Sequence, residues 1–436
     1  MKRLILMLAL SSIACAPVMS EPAAPPVAPA SASADLSGLD ALARRYVAEN
    51  KTPGIAMAIG VGNAPTTFIS AGKLADDPNA PAATPDSLWR VYSMTKPVTA
   101  MAAMILIEEG KLRLDQPIAE VLPEFAQMKV LTDPAKSLDS RPAKTPITVR
   151  HLLTHTAGLG YSIVTTGPLL NEYNRLGLLP AAVNVQMEAQ MAAARPDSLQ
   201  EFARRVASAP LIAEPGTVWS YSISLDVLGA VIEKASGMPF DRFVQTRLFD
   251  PLKMTSSFWT VPESAASRLA TNYTFVGDNR IPVDPGIGSL WTRAPEFPYG
   301  GAGLVMSARD YDRFLHMLQN KGELDGARVM KRETAELAMS NLLPPGVDYE
   351  RAAANTGGDR AAATMGYGAG GSVYLADKAG GAGAGTYGWG GAAGTVAWVD
   401  PKNGVRGTIM VNYFPSDKWP LRDEATKAVY ADIAAK

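Results

Sequence analysis

Residues 88–99 read Leu88-Trp-Arg-Val-Tyr-Ser-Met-Thr-Lys-Pro-Val-Thr99 and run into an apolar stretch that ends at Glu109-Gly110. This pattern predicts a helix from about Ser93 to Glu109, with Gly110 as its stop signal. Met101, Met104, Ile105, Leu106 and Ile107 make it apolar nearly all round, which places it in the centre of the fold. Ser93 and Lys96 stand three apart at its start, on one face and one turn apart. The lysine amine can then reach the serine hydroxyl. Serine is a weak nucleophile at its free pKa and needs an adjacent base. Lysine serves as that base only when it is partly neutral, a state favoured by burial and by a cationic or helix-N-terminal neighbourhood. The helix N-terminus also stabilises negative charge forming on the serine or on the carbonyl it attacks. Pro97 fits, because the N–H groups of a first helical turn are unpaired anyway. By itself Ser-x-x-Lys is a weak signal, since most matches are an exposed serine and lysine on a helix.

On either side of this stretch the pattern changes. Leu36, Leu39, Leu42 and Ala43 recur at helical spacing, and Gly54–Gly60 and Thr67–Gly72 read as two strands joined by a turn at Gly62-Asn63. Residues 112–330 carry mostly helical patterns, among them Val149–Leu153, Leu199–Ala209, Ser224–Ala235 and Phe240–Leu248. The Gly/Ala-rich run from Gly346 to Ala384 is expected to be loop in part. Ser372–Leu375, Gly394–Val399 and Thr408–Asn412 read as strands, with a hairpin turn at Asp400-Pro-Lys-Asn-Gly404. Leu421–Ala434 reads as a final amphipathic helix. Strands at both ends and helices between them predict an α/β fold: an antiparallel sheet flanked by helices, built from both chain ends, with an inserted, mostly helical domain. The expected division is 36–92 plus 325–436 for the sheet domain and 93–324 for the helical one, with the active site at their interface. No internal repeat is present.

The chain has 436 residues, 47% hydrophobic and 19% charged, which excludes a disordered protein. Lys plus Arg is 41 against 42 Asp plus Glu, so there is no basic footprint for a nucleic-acid partner. One cysteine, Cys15, excludes an internal disulfide or a thiolate metal cluster, and three histidines leave little room for a histidine metal site. The N-terminus has a positive start at Lys2-Arg3, an apolar run Leu4–Ile13 too short to span a bilayer, and small residues after it. It reads as an export signal over residues 1–20, followed by a Pro/Ala-rich spacer over 21–35. A periplasmic or secreted location is expected. Alternatively, Ser-Ile-Ala-Cys15 is a lipoprotein box, with Ser12 a poor residue at its first position, and a lipid on Cys15 is then the only membrane contact.

No Gly-x-Ser-x-Gly occurs, so an α/β-hydrolase nucleophile elbow is absent. His151 and His155 have zinc-pair spacing, but Leu152 stands where a zinc protease has its glutamate, so they read as hydrogen-bonded structural residues. Gly380–Gly385 lacks the Lys-Ser/Thr of a phosphate loop and reads as a turn. No metal or cofactor is implied. Residues 160–200, with Tyr161, Tyr173, Met187 and Met191, form a helical excursion that either walls an acyl pocket or simply packs.

Further motifs follow in order: Gly110-Lys-Leu-Arg-Leu-Asp-Gln-Pro117, His151-Leu-Leu-Thr-His-Thr-Ala-Gly-Leu159, Glu214-Pro-Gly-Thr-Val-Trp-Ser-Tyr221-Ser-Ile-Ser-Leu-Asp-Val-Leu-Gly229, Tyr299-Gly-Gly-Ala-Gly-Leu-Val-Met-Ser307 and Trp389-Gly-Gly391. With residues 88–99 they resemble the serine β-lactamase and penicillin-binding-protein superfamily, class C branch, from about residue 36 to the end. The resemblance implies that Tyr221 is a second base. A phenol ordinarily titrates near pH 10, so a positive neighbour such as Lys96 is needed for it to accept the Ser93 proton. The three form a coupled group, in which naming one base is a choice of description. The resemblance also implies an oxyanion hole from the backbone N–H groups of Ser93 and Ala392, the latter following Trp-Gly-Gly on an edge strand.

Two departures from the lactamase pattern bear on function. Ile223 stands where the tyrosine motif has an asparagine, and Trp389-Gly390-Gly391 stands where the family has Lys-Thr-Gly, without its cation. An anionic substrate loses a charge-assisted partner worth roughly 2–5 kcal/mol at a desolvated site. With Ile223, Trp389, Gly390 and Gly391 at the substrate pocket, the pattern is similar to the family VIII carboxylesterases. That resemblance implies hydrolysis of small-molecule short-chain esters through an acyl-serine, with weak β-lactamase side activity in some members. The alternatives are a β-lactamase or D-amino-acid peptidase, and an inactive binding or envelope protein of the same fold.

Overall fold

The structure is a computed structural model that describes residues 34–181, 183–349 and 365–435. The proposed leader, Cys15, nearly all of the spacer and part of the Gly/Ala-rich run lie outside the described residues.

The chain begins with helix α1 (Ser37–Ala48), whose Leu39, Leu42, Ala43 and Tyr46 are buried at the three-to-four spacing of one helical face. A hairpin follows, β1 (Gly54–Val61) and β2 (Thr67–Gly72), with its turn at Gly62 in the left-handed region (φ 55°). The rest of the main sheet comes from the far end of the chain: β3 (Met365–Tyr367), β4 (Ser372–Tyr374), β5 (Tyr387–Gly390), β6 (Val396–Asp400) and β7 (Val405–Met410). The seven strands lie in the order β3-β4-β5-β6-β7-β1-β2, every neighbouring pair antiparallel. The junction of the two chain ends is β1 on β7, from Ala56 opposite Met410 to Val61 opposite Val405. The fold is therefore the expected mixed α/β arrangement around an antiparallel sheet.

β1 is apolar at almost every position because the sheet is covered on both faces. Ile55, Met57 and Ile59 join a core with α1 and the final helix α6 (Leu421–Ala434). Ala56 and Ala58, on the alternate face, join the larger core, which also holds Phe314 of helix α5 (Ala308–Gln319) and Met101 of helix α2 (Thr95–Glu108). α2 is buried along nearly its whole length and stops at Glu109, ahead of Gly110 in the left-handed region (φ 71°). It starts two residues later than the periodicity predicts. Tyr92 stands at φ 42°, and Tyr92–Met94 form a tight 3₁₀ turn, so Ser93 sits at the lip of the helix.

The middle of the chain is less purely helical than expected. Helix α3 (Val149–Leu153) and helix α4 (Ser224–Ser236) stand where the periodicity placed them. Among the described residues four small sheets accompany the main one, and two of them, of three strands each, frame the approach to Ser93 and the chain's end. One pairs Leu88–Arg90 with Val305–Ser307, which also pairs with Ser257–Phe258. The other is a hairpin, Asn272–Val276 with Asn279–Asp284, joined in parallel by Tyr413–Phe414. The hairpin had a readable signal: the alternating Tyr273 and Phe275 before a Gly277-Asp278 turn. The three-residue strands are shorter than any period-2 pattern can reveal.

Candidate active site

α2 presents Ser93 and Lys96 together, as their spacing requires. Lys96 is fully buried, and its Nζ donates to Ser93 Oγ at 3.2 Å and to the Gly301 carbonyl at 2.8 Å. Tyr221, 128 positions along the chain, donates its phenol proton to Ser93 Oγ at 2.7 Å. The ammonium also lies 4.6 Å from the centre of the Tyr221 ring and 5.5 Å from that of Tyr161. Serine oxygen, amine and phenol thus converge on one point.

The turn Tyr299–Leu304 is fastened to α2 along its first turns. Thr99 Oγ1 donates to the Gly300 carbonyl (2.7 Å), and the Leu304 N–H donates to Thr95 Oγ1 (3.1 Å). Beneath this turn, Asp226 of α4 is buried and accepts the Gly301 N–H at 2.8 Å. Gly301 has no room for a side chain, because a Cβ there would stand 2.6 Å from the Asp226 carboxylate.

Tyr221 is held from behind by His155. The Ser220 N–H donates to the His155 carbonyl (2.9 Å), and the Ser222 N–H donates to His155 Nδ1 (3.2 Å), whose ring lies 4.9 Å from that of Tyr221. Burial, reinforced by the Lys96 charge, holds the His155 pKa well below its ordinary value, so the imidazole is neutral. His151 plays a different part. It completes a capping box with Thr148 at the start of α3, and burial brings it down to about 4. Both histidines are structural, as the missing glutamate suggested.

Trp389-Gly390-Gly391 forms the end of β5 and the turn after it. The strand is third in the sheet, not at its edge as expected, but β4 pairs with β5 only as far as Gly388. From Trp389 onward that side of the strand is open. The Trp389 ring lies 5.8 Å from that of Tyr221. Gly391 packs directly against the Val91 carbonyl, leaving no space for a Cβ. That close approach brings the following residue, Ala392, beside the Ser93 turn, and among the described residues the Ala392 N–H finds no acceptor. Ser93 N–H, at the beginning of a helix, has no intrahelical partner either. Ile223, expected at the substrate pocket, is 1% exposed, at the N-cap of α4 in the main core.

Sequence reasoning also missed a cation near Trp-Gly-Gly. Arg422 of α6 is half-buried and donates through Nη2 to the Thr395 carbonyl (3.0 Å) and to that of Gly391. It braces the 391–395 turn, and a side chain on Gly390 would strike its guanidinium. Only the fold brings Arg422 to β5.

A pocket of about 270 Å³ opens on the other side of the Tyr299 turn. Its walls include Val185 and Ala192 from the 160–200 excursion, with Trp259, Leu290, Trp291 and Tyr299, whereas Tyr161, Tyr173, Met187 and Met191 are not among its lining. Trp291 packs edge-on to Tyr92, the residue before Ser93, at 5.5 Å.

A family model described as Beta-lactamase matches residues 39–431. The chain belongs to the β-lactamase family. Esterase EstB of Burkholderia gladioli is 31% identical over 412 residues, covering 90% of this chain and 94% of that protein. Protein Rv1367c of Mycobacterium tuberculosis is 36% identical over 259 residues, covering 59% of this chain, and the chain spans only 60% of that relative's length. Among solved structures, EstCE1, described as a hydrolase with promiscuous acyltransferase activity, superposes with a TM-score of 0.72 at 24% identity, covering 90% of this chain and 98% of its own. At that identity it speaks for the fold of this β-lactamase-family member.

Proposed function

We propose that this β-lactamase-family chain is a serine carboxylesterase of the family VIII type, hydrolysing short-chain esters through an acyl-serine. The observation that carries the reading is the placement of Ser93 Oγ within hydrogen-bond reach of both Lys96 Nζ (3.2 Å) and Tyr221 OH (2.7 Å). Similarity to an esterase over nine-tenths of the chain supports the same class.

In this reading Ser93 attacks the ester carbonyl while its proton passes to the Lys96–Tyr221 pair. The Ser93 and Ala392 N–H groups receive the negative charge on the carbonyl oxygen. The pair returns the proton to the leaving alcohol, then takes one from the water that attacks the acyl-enzyme and passes it to Ser93 Oγ as the acyl–serine bond breaks and the acid is released. Trp389 offers the substrate an apolar surface where the lactamase pattern has a lysine.

A β-lactamase or D-amino-acid peptidase is the second reading, and Arg422 is the observation that favours it, as a cation beside Gly390 and Gly391. Side-by-side rates on p-nitrophenyl esters and a chromogenic cephalosporin separate the two. The esterase reading expects kcat/KM on acetate or butyrate esters to exceed that on the cephalosporin by at least about 100-fold, the size of roughly 3 kcal/mol of lost carboxylate recognition. Faster cephalosporin turnover contradicts it.

A further inference from the structure

Asp226 lies outside every role assigned so far, yet it is the buried carboxylate closest in the network to the reacting groups. Its Oδ1 accepts the Gly301 N–H at 2.8 Å, and the carbonyl of that same glycine accepts from Lys96 Nζ at 2.8 Å. One residue therefore joins carboxylate to ammonium, and both ends are buried. A carboxylate buried with backbone N–H donors alone needs a counter-charge. We infer that Asp226 is a positioning residue that acts through Lys96: its charge, with the Gly301 turn as spacer, sets how readily the Lys96–Tyr221 pair gives up a proton.

The surroundings support the assignment. Burial pushes the Asp226 carboxyl up to about 6, with Lys96 and the Gly301 N–H pulling it back, so it is a carboxylate at neutral pH. The other titratable groups that feel it are phenols, Tyr161 and Tyr299, whose titration it raises. On the helices packed against α4, Arg150 is paired with Asp115, and Glu201 with Arg204 and Arg205. His151 is engaged in its capping box, Arg242 is exposed and Asp241 is half-buried. Arg195, which bonds the Tyr299 hydroxyl at 2.6 Å, is already paired with Glu188. Lys96 is thus the cation to which Asp226 answers.

The sign of the effect does not depend on which member of the pair is the base. The competent site has lost one proton from the pair, whether it is written as neutral lysine with phenol or as ammonium with phenolate. A nearby negative charge opposes that loss in both descriptions. Removing it moves the ascending limb of the pH profile to lower pH.

The test is the pH profile of kcat/KM on p-nitrophenyl acetate for Asp226→Asn and Asp226→Ser. Asparagine keeps an oxygen for the Gly301 N–H and loses only the charge; serine is a second neutral variant should the first fail to fold. In each, the limb is expected to move about one unit or more toward acid. A limb that stays in place with a uniformly lower rate marks a structural role and overturns the proposal, as does a shift toward alkali. The proposal rests on the esterase reading, but the two fail separately. If wild-type hydrolysis proves independent of Ser93, that reading is lost; if it depends on Ser93 and neutral variants keep the wild-type limb, only the role of Asp226 is lost.

Discussion

Ser93→Ala is expected to lower kcat on a p-nitrophenyl short-chain ester by at least about 10⁴-fold, because a hydroxyl nucleophile has no substitute within the site. Lys96 is already held by Gly301, and Tyr221 is held by ring packing and by the backbone around His155. The neighbours therefore stay in place, and the folded state should be undisturbed by circular dichroism. Residual turnover should be flat with pH, since the pair has no serine to deprotonate. A rate within tenfold of wild type sinks the nucleophile assignment.

Asp284→Ala is the largest expected loss of stability. Arg90, three residues before Ser93, is fully buried in an ion pair with Asp284, which is also fully buried. Asp284 further accepts from Arg90 Nε (3.0 Å), from the Leu290 N–H (3.1 Å) and from Ser289 Oγ (2.5 Å). Alanine leaves the guanidinium buried without its counter-charge, which costs about 3–5 kcal/mol. The equilibrium urea midpoint should fall accordingly. The double variant Arg90→Met with Asp284→Ala should recover much of the loss, since an apolar side chain carries no desolvation penalty. A single-variant loss below about 1 kcal/mol, the worth of an exposed pair, contradicts this reading. The pair also ties the strand leading into Ser93 to the Leu290–Trp291 wall of the pocket, so activity should fall with stability.

What the sequence discloses here depends on how local each interaction is. α2 was legible because its burial is written in its own residues, and Ser93 with Lys96 because one helical turn joins them. Tyr221 and Ala392 came from motif position, since nothing nearby in the chain explains them. Asp226 was passed over inside a quoted motif, because its partner Gly301 is 75 positions away and the contact exists only once α4 packs beneath that turn. Arg422 was missed for the same reason, with Thr395 27 positions away. Ile223 also rests on motif position, and as the cap of α4 it is buried in the core two residues beyond Tyr221.

The central claim is that Ser93 carries the acyl group. A fluorophosphonate probe followed by digestion and mass spectrometry tests it most directly. One adduct per chain on the peptide containing Ser93, with ester hydrolysis lost in proportion to labelling, is the predicted result. An adduct on another residue, or an unlabelled protein that still hydrolyses the ester, would contradict it.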